Sequence, residues 1–343
     1  MAKVPQEVTI EHYGLKAGYF ANQFIRRGYF DLFKQASATI DAIGASLDWR
    51  NAAELNVDSD LVARVAIPEK RLAHYYCHPS VLISNPIVLN YYRCISTFSQ
   101  KGLKTVSRVS NVERIEAGKP CSQSQAKALA QAINRNLNLI YGSIGTSDKH
   151  RESLMYAIAG TTIDGGWRNA IGAEGERVVK TMLLKFLLLR KELKAVIRRS
   201  GEVVEVAAID EEWLEANTAD LQTAVCTNSS QLRFGSEPDL KCVGADGRTT
   251  AGIEVKAGLD PAGALERLGA MLKSFEHVLS EDTSAETILI ASCITDEVQK
   301  RLNATKNVSR VFILTELLNN TKGQGNQFCN TVRGCLGLAV KRL

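Results

Sequence analysis

The chain has 343 residues, 45% of them hydrophobic and 23% charged, with a formal net charge of +5 at pH 7. That composition is globular, and the length exceeds what one hydrophobic core usually organises, so two domains are expected. Eight cysteines are scattered without a Cys-x-x-Cys pair, which fits reduced thiols rather than a disulfide framework.

Residues 1–7 lack the apolar core of a signal peptide. The longest apolar run of a helix-like segment, residues 182–189, is broken by Lys185 and too short to cross a bilayer. A cytoplasmic protein without a membrane partner is the expectation. Residues 1–160 read as mostly helical: Phe20, Phe24, Tyr29, Phe33 and Ile40 give a loosely helical apolar face, and residues 83–95 are strongly apolar. Ser122 to Gln125 open a further helix carrying Ala126, Leu129, Ala130, Ala132 and Ile133 at near-helical spacing.

Charge is concentrated in this half. Residues 93–135 hold eight basic side chains (Arg93, Lys101, Lys104, Arg108, Arg114, Lys119, Lys127, Arg135) against Glu113 and Glu116, a local excess of six. Such a segment is either a well-solvated helical surface or the electrostatic footprint of a phosphate-backbone contact. On the second reading Lys101, Lys104, Arg108, Arg114 and Lys119 are the candidate DNA-contacting residues. Residues 110–119 and the helix after them are faintly similar to the second half of a repressor-type helix-turn-helix, although the first half does not fit. His74, Cys77 and His78 cluster in sequence but lack a fourth zinc ligand at suitable spacing.

Gly160, Gly165 and Gly166 read as a linker. Residues 174–199 then read as one long amphipathic helix, ended by Ser200-Gly201, with Glu176 near its start and Glu174 behind it. By itself Glu176 reads as a carboxylate complementing the helix N-terminus.

The richest stretch follows: Glu237-Pro238-Asp239-Leu240, Gly244-Ala245-Asp246-Gly247-Arg248 and Gly252-Ile253-Glu254-Val255-Lys256. With Asp246-Gly247 as the central pair of a type I′ turn, Ala245 faces Arg248 and Asp239 lies opposite Glu254. Strand alternation then puts Asp239, Lys241, Glu254 and Lys256 on one face and Leu240, Cys242, Ile253 and Val255 on the other. Two carboxylates and an ammonium on one rigid hairpin invite a hard divalent cation such as Mg²⁺, with the backbone carbonyl of Val255 within reach. Lys256 could orient or help deprotonate a water, or stabilise charge on a phosphoryl group. The reaction suited to this set is metal-assisted phosphodiester hydrolysis.

Beyond the hairpin, Asp260 should cap a helix with Pro261 at its first position. Its stripe of Leu265, Leu268, Met271, Leu272, Phe275 and Leu279 is expected to cover the hairpin's apolar face. Residues 287–292 and 308–314 read as strands separated by a helix through Val298 and Leu302. Residues 322–327 read as a flexible Gly-rich loop. Alternating helices and strands argue for a three-layer α/β core.

Pro238-Asp239 with Glu254-Val255-Lys256 resembles the signature of the PD-(D/E)xK nuclease superfamily. Residues 257–267 resemble the segment that follows it in type II restriction endonucleases, more narrowly the XcyI-like group that cuts within CCCGGG. The likeness covers residues 165–315. It implies a restriction-endonuclease-like α/β core, a mixed sheet flanked by helices, over residues 165–343. Beside it stands a mostly helical, basic, DNA-contacting domain over residues 1–160. It further implies a Mg²⁺-dependent type II site-specific deoxyribonuclease acting on double-stranded DNA, homodimeric, with a cognate DNA methyltransferase as system partner. Asp239 and Glu254 would be the metal ligands, joined by the Val255 carbonyl and with Glu176 a further candidate, and Lys256 the catalytic lysine. The alternatives are a nuclease of the same superfamily without sequence preference, or a DNA-binding regulator with an inactive nuclease fold.

Overall fold

The computed structural model describes residues 6–44, 46–260 and 264–338. Two compact units emerge: Gly14–Trp167, and the described residues of Met1–Tyr13 and Arg168–Leu343.

The first unit is helical. Its core is unusually rich in buried tyrosines, including Tyr29, Tyr76, Tyr91, Tyr92 and Tyr141. Most of these hydroxyls are satisfied by main-chain carbonyls, as when Tyr91 donates to His74 at 2.8 Å and Tyr141 to Tyr75 at 2.9 Å. Helix Gln123–Ile144 begins with a capping box between Ser122 and Gln125 and buries Ala126, Leu129, Ala130, Ile133 and Leu137. The expected linker is absent. Gly160, Gly165 and Gly166 lie inside the 42-residue helix Asp148–Leu189. Each glycine costs a helix about 1 kcal/mol relative to alanine, but Met155, Ala159, Ile163 and Trp167 recur every fourth residue and are all buried. Packing on that stripe outweighs the propensity.

The second unit is built on an eight-stranded sheet: β1 Leu193–Arg198, β2 Val203–Glu205, β3 Leu221–Cys226, β4 Gln231–Phe234, β5 Leu240–Val243, β6 Thr249–Lys256, β7 Glu286–Ala291 and β8 Arg310–Ile313, in the order β2-β1-β3-β4-β5-β6-β7-β8. Pairings through β5–β6 are antiparallel, whereas β6–β7 and β7–β8 are parallel. One sheet face, with Leu240, Cys242, Ile253, Val255 and Ile288, packs on Val179, Leu183 and Leu187 of the long helix and on Phe328, Cys329 and Val332 of helix Gln324–Cys335. On the other face, Leu268, Met271 and Phe275 of helix Ala264–Glu281 meet Leu289, Ala291, Val298 and Leu302.

This arrangement corrects three expectations. Residues 193–198 are strand β1, not the end of a helix; the helix stops at Leu189 and Lys191 turns the chain at a φ of 56°. A continuous apolar stretch does not distinguish a buried strand from a buried helix by period. Residues 324–327 open helix Gln324–Cys335 instead of continuing a loop. Gly325 is needed there, because a Cβ on it would come within 2.6 Å of the Leu317 carbonyl oxygen. The helix Ala264–Glu281 covers the carboxylate-bearing face of the hairpin, not its apolar face. The expected cap at Pro261 and the side chain of Leu265 fall outside the described residues.

The hairpin turn also differs. Gly247 N–H donates to the Gly244 carbonyl at 2.9 Å with Gly247 at a φ of +84°, and Gly244 N–H donates to the Arg248 carbonyl at 2.9 Å. Asp246 does not adopt a positive φ, so the connection is a three-residue loop closed by a left-handed glycine, not a type I′ turn. Val243 pairs with Thr249, one step out of the expected register, and an irregularity before Cys242↔Ala251 restores it. From there Lys241↔Gly252 and Leu240↔Ile253 run as expected, in the register that sets Asp239 against Glu254.

Candidate active site

Asp239 stands one residue before β5, and Glu254 and Lys256 occupy the last turn of the pleat in β6. The loop between β4 and β5 closes where Gly235 N–H donates to the Asp239 carbonyl at 3.1 Å. Asp239 is 5% exposed and Glu254 2%. Val255 N–H donates to Asp239 Oδ2 at 2.8 Å, so the neighbouring strand's backbone fixes that carboxylate. The Lys256 ammonium lies 3.4 Å from the same oxygen and also pairs closely with Glu254 Oε2. Asp239 Oδ1 takes no hydrogen bond from the described residues. Lys256 is the most accessible of the three, with 24% of its side chain exposed.

The helix Ala264–Glu281 runs over this face and meets it turn by turn. Glu281 accepts from Lys241 at 2.7 Å and from the Thr249 hydroxyl at 2.6 Å. Val278 rests on Gly252, where a Cβ would come within 2.6 Å of it. Ser274 then brings its buried hydroxyl towards Glu254, near enough to favour the charged carboxylate, though no full hydrogen bond to it closes among the described residues. Burial raises the Glu254 carboxyl above its ordinary value and the charge of Asp239 raises it further, while Lys256 and Ser274 oppose. Burial lowers Lys256, but the two carboxylates outweigh it and the amine is held above its usual range.

Glu176 is not drawn into this cluster. It pairs with Lys180 at 3.1 Å, a lysine whose side chain is 8% exposed. Glu174 pairs with Arg177 at 2.7 Å. Between the two acids lies Gly175, whose Cβ would fall 2.3 Å from that of Ala257, just past Lys256. The helix backbone therefore passes against the end of β6. Among the described residues no three of His, Cys, Asp and Glu are grouped to hold a metal ion. That includes His74, which pairs with Asp41 at 2.8 Å, and His78, which accepts from Ser80 N–H at 3.2 Å.

Of the basic residues in the first unit, Lys101, Arg108, Arg114 and Lys119 are exposed and make no ion pair among the described residues. Lys104 pairs with Glu113 at 2.7 Å. Arg93 is not a surface charge: it is fully buried, paired with Glu116, and donates to the Phe98 carbonyl at 3.0 Å. Lys127 is taken by Glu54 at 2.8 Å. Helix Val112–Glu116 has only five residues ahead of Gln123–Ile144.

A model of the XcyI restriction endonuclease family matches residues 54–339, which spans both units and the whole carboxylate–lysine hairpin. The chain belongs to the XcyI restriction endonuclease family. Two relatives are type II restriction enzymes. Cfr9I of Citrobacter freundii is 22% identical over 279 residues, 76% of either chain. XcyI of Xanthomonas campestris pv. cyanopsidis is 26% identical over 212 residues, 58% of this chain and 57% of the relative. The activity class is thus that of a type II site-specific deoxyribonuclease, an enzyme that acts on double-stranded DNA. The restriction-endonuclease-like α/β core with a helical N-terminal region follows from the same match. No helix of the described residues is long and apolar enough to cross a membrane.

Sequence reasoning missed Ser274 and Gly175 at this site. The signal for Gly175 was a lone glycine inside a helical pattern, which often marks a close backbone approach. Ser274 had none, being one polar position in an apolar stripe.

Proposed function

We propose that the enzyme hydrolyses DNA phosphodiester bonds with Mg²⁺ at a palindromic double-stranded site, CCCGGG by its resemblance, using Asp239, Glu254 and Lys256. The observation that carries the reading is the pairing of two buried carboxylates across β5 and β6 with a single ammonium between them. This donor set fits a hard cation: both groups are oxygen donors, Asp239 Oδ1 takes no hydrogen bond from the described residues, and Glu254, raised by burial and then by the charge of Asp239, is favoured in its charged form by added positive charge. Asp239 and Glu254 would hold the ion with the Val255 carbonyl, and Glu176 is the further acidic candidate. Bound there, Mg²⁺ supplies Lewis-acid polarisation of a phosphoryl oxygen and of water.

The remaining work falls to the chain. Val255 N–H aims Asp239, so the carboxylate needs no reorganisation when substrate arrives. Lys256 carries its ammonium at the most open edge of the cluster, where it neutralises charge building on the scissile phosphate. The helix through Ser274 and Val278 excludes water from behind Glu254. Lys101, Lys104, Arg108, Arg114 and Lys119 of residues 1–160 would grip the phosphate backbone. Two copies, one site per strand, would cut a two-fold symmetric sequence, with a cognate methyltransferase protecting the host site.

Incubating plasmid DNA of known sequence with the enzyme and Mg²⁺ tests this reading. Discrete fragments ending within CCCGGG, abolished by EDTA, are expected. A smear would indicate cutting without sequence preference, and binding without cutting would overturn the hydrolytic reading.

A further inference from the structure

Helix Gln6–Arg26 contains no fully buried residue. Its inner side is nevertheless occupied: Phe24 stacks near Phe20 and Tyr156, Tyr19 meets Trp167, and Lys16 pairs with Asp164 at 2.6 Å. Its outer side is apolar. On it Ile10 and Ile25 are each more than 60% exposed, and a Cβ built on Gly14 or Gly18 would meet no atom of the described residues within 4 Å.

The order of residues on this face is symmetric. Ile10, Gly14, Ala17, Gly18, Ala21 and Ile25 lie within an arc of about 100° at 3.6 residues per turn, and their spacing reads the same from either end. Isoleucine mirrors isoleucine and small residue mirrors small residue. The charges are arranged oppositely: exposed Glu7 and Glu11 at the start, exposed Arg26 and Arg27 at the end. A second, antiparallel copy of the same helix satisfies both patterns at once. Ile10 would lie beside Ile25 of the second copy, Gly14 beside its Ala21, and Ala17 beside its Gly18, with the acidic end against the basic end. The glycines and alanines permit an interaxial distance near the short end of the usual range, about 8 Å. A different partner protein would need no such internal symmetry.

We propose that this face of helix Gln6–Arg26 is the two-fold contact between two copies of the chain. The proposal rests on the two-copy reading given above and names its surface. Sedimentation velocity on the full-length enzyme tests both separately. Dimeric wild type with Ile25→Glu weakened at least tenfold, at unchanged circular dichroism, is the expected result. A charge-reversed pair, Glu7→Arg with Glu11→Arg, should also weaken the dimer, and adding Arg26→Glu with Arg27→Glu should restore it. Under mild oxidation Ala17→Cys should cross-link to itself, whereas Ala21→Cys should do so only when mixed with Gly14→Cys. Self-cross-linking at all three positions would indicate parallel helices and overturn the proposal, as would a dimer indifferent to Ile25→Glu. A wild-type monomer, with and without DNA, would instead overturn the two-copy reading itself.

Discussion

The backbone N–H of Val255 and the side chain of Asp239 are joined by a 2.8 Å hydrogen bond between two adjacent strands. The residue between the two proposed acid and amine groups of β6 thereby orients the acid that immediately precedes β5. A carboxylate aimed by backbone keeps its geometry when its neighbours are changed, which makes the site separable by mutation.

Asp239→Asn and Glu254→Gln should each lower the cleavage rate at least ~100-fold, the scale of removing one preorganised electrostatic group. Binding to the same DNA, measured by mobility shift in Ca²⁺, should persist. Cutting by either variant at near the wild-type rate would remove both residues from the metal site.

Lys256→Ala should slow single-turnover cleavage by about 100-fold while leaving DNA affinity within a few-fold, because its charge matters most as the phosphate charge grows. An equal loss of affinity and rate would make Lys256 a binding group only.

Gly252→Ala should destabilise the second unit by about 1–3 kcal/mol through overpacking against Val278. The double variant with Val278→Ala should recover most of that, read from urea midpoints. Gly175→Ala should act similarly at Ala257, and because that contact adjoins Lys256 it should also slow cutting.

Removing the buried partner of Arg93 by Glu116→Ala should cost about 3–5 kcal/mol, since a buried guanidinium is left uncompensated. Lys101→Ala, Arg108→Ala, Arg114→Ala and Lys119→Ala should leave stability nearly unchanged. Each one that contacts a phosphate should reduce the slope of log affinity against log salt by about 1. Unchanged slopes for all four would move the DNA contact elsewhere.

Glu281 is held below its ordinary value of 4.5 chiefly by its hydrogen bonds to Lys241 and Thr249. A carboxylate lowered on folding stabilises the fold above its unfolded pKa, and that contribution is lost as pH falls through the folded value. Wild type should therefore melt above Glu281→Gln at pH 7, with the gap closing below pH 4.5. A gap that is constant with pH would assign the effect to packing.

The parts of this molecule legible in sequence were those governed by local rules. Alternation placed Asp239, Glu254 and Lys256 together because β5 and β6 are adjacent and short-range. The helix opened by Ser122 to Gln125 and its stripe through Leu129 and Ile133 were equally local. β1, β3 and β4 went unrecognised because burial on one continuous face depends on partners far along the chain. The side of the sheet covered by Leu268, Met271 and Phe275 was misassigned for the same reason: an amphipathic helix declares which of its faces is apolar, not which surface it meets. Arg93 was counted as surface charge because composition carries no burial.

The compensated register of the β5–β6 connection has a further consequence. The loop displaces the pairing by one residue and the irregularity before Ala251 takes that residue back. Deleting either alone would rotate every later side chain of β6 through the sheet, sending Glu254 and Lys256 into the packed interior and Ile253 and Val255 out. Length changes here are tolerable only in matched pairs, so the hairpin behaves as a combination lock whose two tumblers must move together.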